Sequence, residues 1–270
     1  MAKRKKNRIP IKTASEIEAM RLAGKTASEI LQATAAFVAP GRTTREIDEF
    51  AAEEMKRHDC TSAFLNYRGF PGHVCVGRNE CVVHGIGDEQ VVEEGDIVKI
   101  DVGIHKNGWI GDNATTVAVG NIDDETKLLL AATEQSLFDA ISFAVEGNLL
   151  WDLCGSVNAF VRKYDFTVVR DLVGHGVGKE LHEEPQVPNY RPMGRRSPVL
   201  KAGMILAIEP MVNAGVSKIR CLEDGWTIIT EDEKNSAHFE HTVLVGKEEP
   251  EILTMRPRTA LPEQLKISLD

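Results

Sequence analysis

The sequence predicts a single α/β (α+β) domain with pseudo-two-fold symmetry, in which a central antiparallel sheet is flanked by two pairs of helices. Two long helical patterns are followed by strand-like runs, and this order repeats once along the 270 residues. The segment EEGDIVKID also recurs as KAGMILAIE 108 positions later, so that Asp101 corresponds to Glu209. Because side chains alternate between the faces of a strand, equal offsets place these two carboxylates on equivalent strand faces.

Two amphipathic helices are predicted before each set of strands. In the first, apolar side chains recur on one face, and the sequence PGR ends the pattern. The second is TTREIDEFAAEEMKRH, where Thr43 or Thr44 supplies the N-terminal cap with Glu46 close behind. The four predicted helices cover about residues 15–37, 43–58, 124–145 and 150–163.

Each pair of helices is followed by four strand-like runs. They are HVCVG, CVVHG, DIVKIDVGI and TTVAVG in the first half, and FTVVRD, MILAIEP, GWTIIT and HTVLVG in the second. The turn signal KNG between Asp101 and Asp112 predicts a hairpin that brings these two carboxylates together. No linker rich in Pro, Gly or Ser divides the chain, which favours one domain.

The composition is typical of a soluble globular protein, with 42% hydrophobic and 27% charged residues. No apolar stretch is long enough to span a membrane, and no secretory signal is present. Five cysteines without a CxxC pair predict neither a disulfide framework nor a zinc knuckle. A reducing cytoplasmic location is therefore expected.

The formal net charge of −9 conceals a basic N-terminus, because residues 3–8 carry five positive charges. Residues 1–10 are expected to form a disordered arm. The alternative is that this arm makes an electrostatic contact with RNA, for example on a ribosome surface.

Five residues that can bind metal stand in apolar or glycine-rich runs. They are Asp101, Asp112, His175, Glu209 and Glu240. Four carboxylates at the ends of buried strands are too many negative charges to bury without a counter-ion. A pair of divalent metal ions would resolve this conflict, and one imidazole with several carboxylates suits Mn, Fe, Co or Zn.

The sequence GHGVG around His175 resembles a phosphate loop only superficially, because three prolines follow where a helix would be needed. The glycines instead indicate a close backbone approach around the imidazole. His84 and His182 remain free to contact a substrate and to transfer protons.

The motifs NECVVHGIG, VKIDVG, GWIGDNAT, GHGVGKELHEEPQVPNY, AIEPM and HFEHTV closely resemble those of bacterial-type type I methionine aminopeptidases, metallopeptidases with the pita-bread fold. The resemblance runs from about residue 11 to residue 256. It implies that Asp101 chelates one metal ion, that His175 and Glu209 hold the other, and that Asp112 and Glu240 bridge both. It also implies that His182 hydrogen-bonds the scissile carbonyl, His84 contacts the adjacent peptide backbone, and Glu209 is the proton shuttle.

The resemblance further implies a pocket for a methionine side chain. Its expected wall residues are Tyr67, Phe70, Phe64, Leu181, Met211 and Trp226. Phe64 and Leu181 depart from the residues common in bacterial relatives, and they read as compensating changes of size. Asn79 and Ser236 match a site for one Na or K ion in relatives.

The implied activity is removal of the N-terminal methionine from nascent proteins when the second residue is small, through attack of a metal-bridging hydroxide. Two alternatives remain: a pita-bread peptidase acting on X-Pro bonds, and a non-catalytic pita-bread module that binds RNA or protein. The expected organisation is a basic arm (1–10), a monomeric metallopeptidase domain (11–258) and a C-terminal tail (259–270).

Overall fold

A computed structural model of the chain describes residues 9–259. The basic segment at residues 3–8 lies outside the described residues, and so does all of the expected tail except Thr259. Within the described range, no helix is both long enough and apolar enough to cross a lipid bilayer.

The described residues contain four α-helices, in the predicted order of two pairs. They are α1 (Ala14–Phe37), α2 (Thr44–Arg57), α3 (Asp124–Ser142) and α4 (Leu150–Val161). The predicted third and fourth helices extend too far at their C-termini, and α4 is followed by a 3₁₀ turn at Arg162–Tyr164. The predicted cap of α2 is Thr43: its side chain accepts a hydrogen bond from the Glu46 backbone, while the Glu46 side chain accepts one from the Thr43 backbone.

Fifteen short strands accompany these helices in residues 9–259. They are β1 (Thr61–Ser62), β2 (Cys75–Arg78), β3 (Cys81–Val83), β4 (Ile97–Lys106), β5 (Trp109–Ala118), β6 (Thr167–Val168), β7 (Gly174–Gly176), β8 (Glu183–Val187), β9 (Ile205–Ile208), β10 (Met211–Asn213), β11 (Ile219–Cys221), β12 (Ile228–Thr230), β13 (Ser236–His238), β14 (His241–Leu244) and β15 (Glu251–Ile252). All the strand pairs are antiparallel, as predicted.

Hydrogen bonding divides these strands among four sheets, where the sequence predicted one central sheet. In the first half, β4 pairs with β1, β2 and β5. In the second half, the order β15-β14-β9-β7-β8 places β9 at the centre. Two small three-stranded sheets, β13-β10-β6 and β11-β12-β3, complete the described strands.

The internal repeat is visible in equivalent backbone contacts. Gly41, before α2, donates to the Val92 carbonyl at 2.8 Å, and Gly147, before α4, donates to the Leu200 carbonyl at 3.0 Å. Both glycines have a left-handed backbone, with φ of +87° and +90°, which side-chain-bearing residues rarely adopt. The two halves therefore share their turns as well as their helices and strands.

The predicted hairpin joins β4 to β5. Asn107 and Gly108 form a two-residue loop with φ of 52° and 80°, and this pair of positive values matches the twist of the flanking strands. Asp112 lies opposite Gly103. Because Gly103 and Asp101 are two residues apart, both carboxylates lie on the same face of the hairpin.

The helices cover one face of each central strand. Val98 and Ile100 of β4 pack in an apolar cluster with residues of α1 and α2. Leu206 and Ile208 of β9 pack in a second cluster with residues of α3 and α4. The alternate positions point away from the helices, so Asp101 faces the space between the two halves.

Candidate metal centre

One cavity of about 270 Å³ brings together all five residues that the sequence singled out as candidate metal ligands. Asp101 lies on β4, Asp112 on β5, His175 on β7, Glu209 directly after β9, and Glu240 between β13 and β14. Ligand atoms of Asp112, His175 and Glu240 all lie within 4.8 Å of one another. Residues more than 100 positions apart thus converge because the two halves pack face to face.

The carboxylates of this cluster lack the partners that buried charges require. Asp112 and Glu240 are 3% and 2% exposed. In residues 9–259, one oxygen each of Asp101, Asp112 and Glu240 is buried without a hydrogen-bond partner. The ion pairs recorded for this cluster within that range involve histidine only. Such orphaned oxygens are costly in a protein interior unless a cation compensates them.

The pKa values of the carboxyls also show that burying these negative charges together is unfavourable. Burial raises the pKa of Asp101 above its usual range. Burial, and then the charge of the neighbouring carboxylates, raises the pKa of Asp112, Glu209 and Glu240 well above the usual range. Four acids that resist ionisation together form a donor set that fits divalent metal ions, whose charge stabilises the ionised forms.

His175 is oriented to offer one nitrogen to this cluster. Its Nδ1 lies 2.9 Å from the Gly176 carbonyl oxygen, so the Nδ1–H donates to that oxygen. Burial lowers the pKa of His175 to about 3, which keeps the ring neutral. Nε2 therefore carries the lone pair, and it lies 3.5 Å from Glu209 Oε1 and 3.7 Å from Asp112 Oδ2.

The glycines on each side of His175 provide the close approach predicted from the sequence. A Cβ atom at Gly174 would lie 2.4 Å from the Ala207 carbonyl oxygen, and one at Gly176 would lie 2.1 Å from the Glu184 carbonyl oxygen. Side chains at either position would therefore push β7 away from β8 and β9, and would move the imidazole.

His84 and His182 line the same cavity as the five candidate ligands. His182 Nδ1 lies 2.8 Å from Tyr67 Oη, and its ring centroid lies 4.3 Å from that of His175. Burial, followed by the positive charge of Arg68, lowers the pKa of His182 to about 4. His84 has φ of 57°, a strained value for a residue with a side chain, and burial lowers its pKa. Both rings are therefore neutral at pH 7.

The six expected pocket residues also line this cavity. Phe70 and Trp226 pack edge to face, with ring centroids 5.3 Å apart. The ring of Phe64 lies against Gly103, where an added Cβ atom would lie 2.3 Å from the ring edge. These aromatic side chains form an apolar wall beside the carboxylates.

Other wall residues were not singled out from the sequence. They are Arg68, Cys75, Val83, Asp171, Leu172 and Val173. Asp171 ends the strand-like run FTVVRD, so the pattern that identified Asp101 could also have found it. Cys75 lies opposite Asp101 in the pairing of β2 with β4, and this non-local pairing is not encoded in either strand alone.

Asn79 and Ser236 are not among the residues that line the cavity. They meet each other instead, because the Ser236 backbone donates to the Asn79 carbonyl oxygen at 3.0 Å. Lys99 Nζ donates to the same oxygen at 2.6 Å. Burial lowers the pKa of Lys99 to about 8, so the ammonium form predominates at pH 7.

Comparison with known proteins identifies the family to which this chain belongs. A profile of metallopeptidase family M24 matches residues 18–247. The methionine aminopeptidase of Clostridium perfringens is 44% identical over 247 residues, covering 92% of this chain and 99% of that protein. The methionine aminopeptidase of Escherichia coli is 41% identical over 256 residues, covering 94% of this chain and 97% of that protein.

A solved structure supports the same assignment. The crystal structure of methionine aminopeptidase from Thermotoga maritima matches with a TM-score of 0.89 and 43% identity, covering 92% of this chain and all of that chain. The chain therefore belongs to metallopeptidase family M24, which confirms that it is an enzyme of the metallopeptidase class. The predicted resemblance to methionine aminopeptidases and the predicted pita-bread architecture are confirmed as well.

Proposed function

We propose that this chain is an aminopeptidase with two divalent metal ions that removes N-terminal methionine when the second residue is small. The observation that carries the proposal is the convergence of four carboxylates and His175 beside an apolar wall in one cavity. The names of the relatives from Clostridium perfringens and Escherichia coli support the same substrate.

In this proposal Asp101 holds one metal ion, and His175 with Glu209 holds the other. Asp112 and Glu240 would be shared by both ions. The orphaned oxygens of Asp101, Asp112 and Glu240 support metal binding by these three residues, since each has an acceptor position with no protein donor in the described residues. The ions, which are Mn, Fe, Co or Zn, supply an activated water and polarise the scissile carbonyl when bound.

The protein's own groups then move protons and orient the peptide. Glu209 takes the proton of the attacking water and delivers it to the leaving amine. In this proposal the Tyr67 hydroxyl, 2.8 Å from His182 Nδ1, is the donor of that hydrogen bond, and the Nε2–H of the neutral ring then donates to the scissile carbonyl oxygen. His84, which also lines the cavity, contacts the neighbouring peptide backbone.

The apolar wall receives the methionine side chain. Tyr67, Phe70 and Trp226 offer aromatic faces and edges, which make favourable contacts with a thioether. Phe64, Leu181 and Met211 line the same cavity and complete the proposed pocket. A flexible unbranched side chain fills such a pocket better than a β-branched one.

The proposal extends to the organisation and location of the protein. We propose that the metallopeptidase domain spans residues 11–258, is monomeric and acts in the cytoplasm on the N-termini of nascent polypeptides. In the same proposal, the basic residues 3–8 bring the domain to RNA at the ribosome.

Peptide cleavage tests the proposal directly. Purified protein supplied separately with Mn, Co, Fe or Zn should cleave Met-Ala-Ser and leave Met-Leu-Ser and Leu-Ala-Ser intact, measured by chromatography of the released amino acid. Ala-Pro-Ser serves as the probe for X-Pro activity. Folded, metal-loaded protein that cleaves only Ala-Pro-Ser, or no peptide at all, would contradict the proposal.

A further inference from the structure

A buried lysine stands two residues before Asp101 on β4. Lys99 is 4% exposed, and its side chain points away from the helices, as that of Asp101 does. In residues 9–259 no carboxylate forms an ion pair with it, and its ammonium donates to the carbonyl oxygen of Asn79 at 2.6 Å. A buried ammonium held by a backbone carbonyl has the same kind of ligand as a bound alkali metal ion.

The two residues that resemble a Na or K site do not fit a free ion in this chain. A carbonyl oxygen has two lone pairs, and the Asn79 oxygen already accepts from Lys99 Nζ and from the Ser236 backbone. The Asn79 side chain is equally committed: its nitrogen donates to Asp96, and its oxygen accepts from the Ile97 backbone. The Asn79 carbonyl oxygen therefore has no free lone pair for a Na or K ion.

The hydroxyl and the backbone nitrogen of Ser236 are also occupied. Its hydroxyl lies 2.9 Å from Asn213 Oδ1 and 3.2 Å from the Val212 carbonyl oxygen, and it donates to one of them. Its backbone nitrogen is the donor to Asn79. A cation placed against these groups would have to displace these bonds.

Charge also excludes a second cation at this position. A Na or K ion sharing the Asn79 oxygen would lie about 4 Å from the Lys99 ammonium, and at an effective dielectric constant near 20 this weakens binding by roughly 10²- to 10³-fold. Asp96 offsets only part of this repulsion, because Arg78 already pairs with it at 2.8 Å. Glu80, Cys81 and His238 are the remaining titratable groups near Lys99.

We propose that the ammonium of Lys99 is a built-in cation of this site, which makes the fold of this chain independent of Na and K ions. The internal repeat supports a local function, because the equivalent position on β9, 108 residues later, is Ala207. Only the half that presents Asn79 to β4 therefore contains such a lysine. The proposal concerns stability, so it can fail or succeed separately from the proposed peptidase activity.

Thermal unfolding of the full chain tests it. The melting temperature is measured by circular dichroism in choline, sodium or potassium chloride at about 0.15 M, which keeps charge screening equal. Divalent ions are removed with the tetramethylammonium salt of EDTA, so that the chelator adds no alkali ion. The wild-type chain should melt at the same temperature in all three salts, within about 1 °C.

Lys99→Met removes the ammonium and retains the length of the side chain. This variant should melt at a lower temperature than wild type in choline and recover by roughly 5 °C in sodium or potassium, since an ion that binds only the folded state stabilises it. The matched control is Lys106→Met, which removes a lysine at the other end of β4 that also donates to backbone carbonyls, those of His58 and Asp59. It should not respond to the choice of cation.

Two outcomes would overturn the proposal. One is a wild-type chain whose melting temperature rises by several degrees in sodium or potassium. The other is a folded Lys99→Met variant that responds to these ions no more than wild type does. If Lys99→Met does not fold in any salt, Lys99→Ala takes its place, because the shorter side chain leaves space for an ion beside the Asn79 carbonyl oxygen. A folded Lys99→Ala variant that responds to sodium or potassium no more than wild type does would overturn the proposal in the same way.

Discussion

The two halves of the molecule share a backbone and differ in the side chains that face between them. On the helix-facing side, Val98 and Ile100 of β4 correspond to Leu206 and Ile208 of β9, and all four are buried in apolar clusters. On the inward side the halves diverge. A carboxylate is retained at the end of each strand, as Asp101 and Glu209, but Lys99 corresponds to Ala207.

The neighbouring strands extend this difference. In the first half, Cys75 of β2 lies opposite Asp101, and burial raises the pKa of its thiol well above the usual range. In the second half, His175 of β7 lies opposite Ala207, and its neutral ring offers Nε2 to the cavity. The repeated frame thus fixes where side chains enter the cavity, while each half separately determines which chemistry enters there.

The largest expected effect comes from removing the carboxylates that lie between the halves. Asp112→Ala, from the first half, and Glu240→Ala, from the second, should each lower kcat/KM for Met-Ala-Ser by at least about 10³-fold, because each proposed bridge holds both metal ions. Metal content, measured by mass spectrometry after desalting, should fall in parallel.

The control for this pair is Glu231→Ala, which removes an exposed carboxylate outside the cavity and should change neither activity nor metal content. If only one of the two variants were impaired, the proposed bridge would be confined to one half. Near-normal turnover in both variants would count against bridging altogether.

A smaller effect is expected from the two cavity histidines, one from each half. His182→Ala should lower kcat by roughly 10²-fold with little change in KM, since its proposed bond strengthens as charge develops on the carbonyl oxygen. His84→Ala should act mainly on KM, because a contact with the peptide backbone is already made in the bound substrate.

Steady-state kinetics with Met-Ala-Ser separate these effects, and His105→Ala is the control because His105 is exposed on β4, away from the cavity. An effect of His182→Ala on KM alone would assign carbonyl stabilisation to another group. Equal effects of the two substitutions would mean that the halves contribute equivalent histidines.

Most of the fold could be predicted from local patterns. The helices have clear apolar faces, and the 108-residue offset between β4 and β9 reveals the repeat. Strands of two or three residues, such as β1, β7 and β15, carry too little alternation to be recognised. The separation into four sheets was not predicted either, because it depends on pairings such as β12 with β3, which are far apart in sequence.

The candidate site was predictable for a different reason. Asp101 and Glu240 stand in strand-like sequences where a charge is costly, so their positions alone indicated a cation. Lys99 is also a charged residue in a strand-like sequence, but no role is predicted for it. A lysine at the centre of a strand is expected to be exposed until its neighbours in the fold are known. Its contact with Asn79 depends on the loop between β2 and β3, which no local pattern describes.

The smallest expected effect concerns the start of the second helix in each half. Thr43 caps α2 with its own side chain, whereas Leu149, at the equivalent position of α4, has no capping side chain. The first backbone N–H groups of α4 are bound from a distant loop instead: Trp151 donates to Ser197 Oγ at 2.9 Å, and Leu150 donates to the Pro198 carbonyl oxygen at 3.0 Å.

Thr43→Ala and Ser197→Ala should therefore each lower the free energy of unfolding by about 1 kcal/mol, the usual contribution of an N-cap hydroxyl. Leu149→Thr adds a local cap where the loop already satisfies the helix, so it should change stability by less than about 0.5 kcal/mol. Urea unfolding of the three variants, at unchanged m-value, measures the differences. A gain of 1 kcal/mol or more in Leu149→Thr would mean that the Ser197 loop does not cap α4 in solution, and that the halves differ by a missing cap rather than by a relocated one.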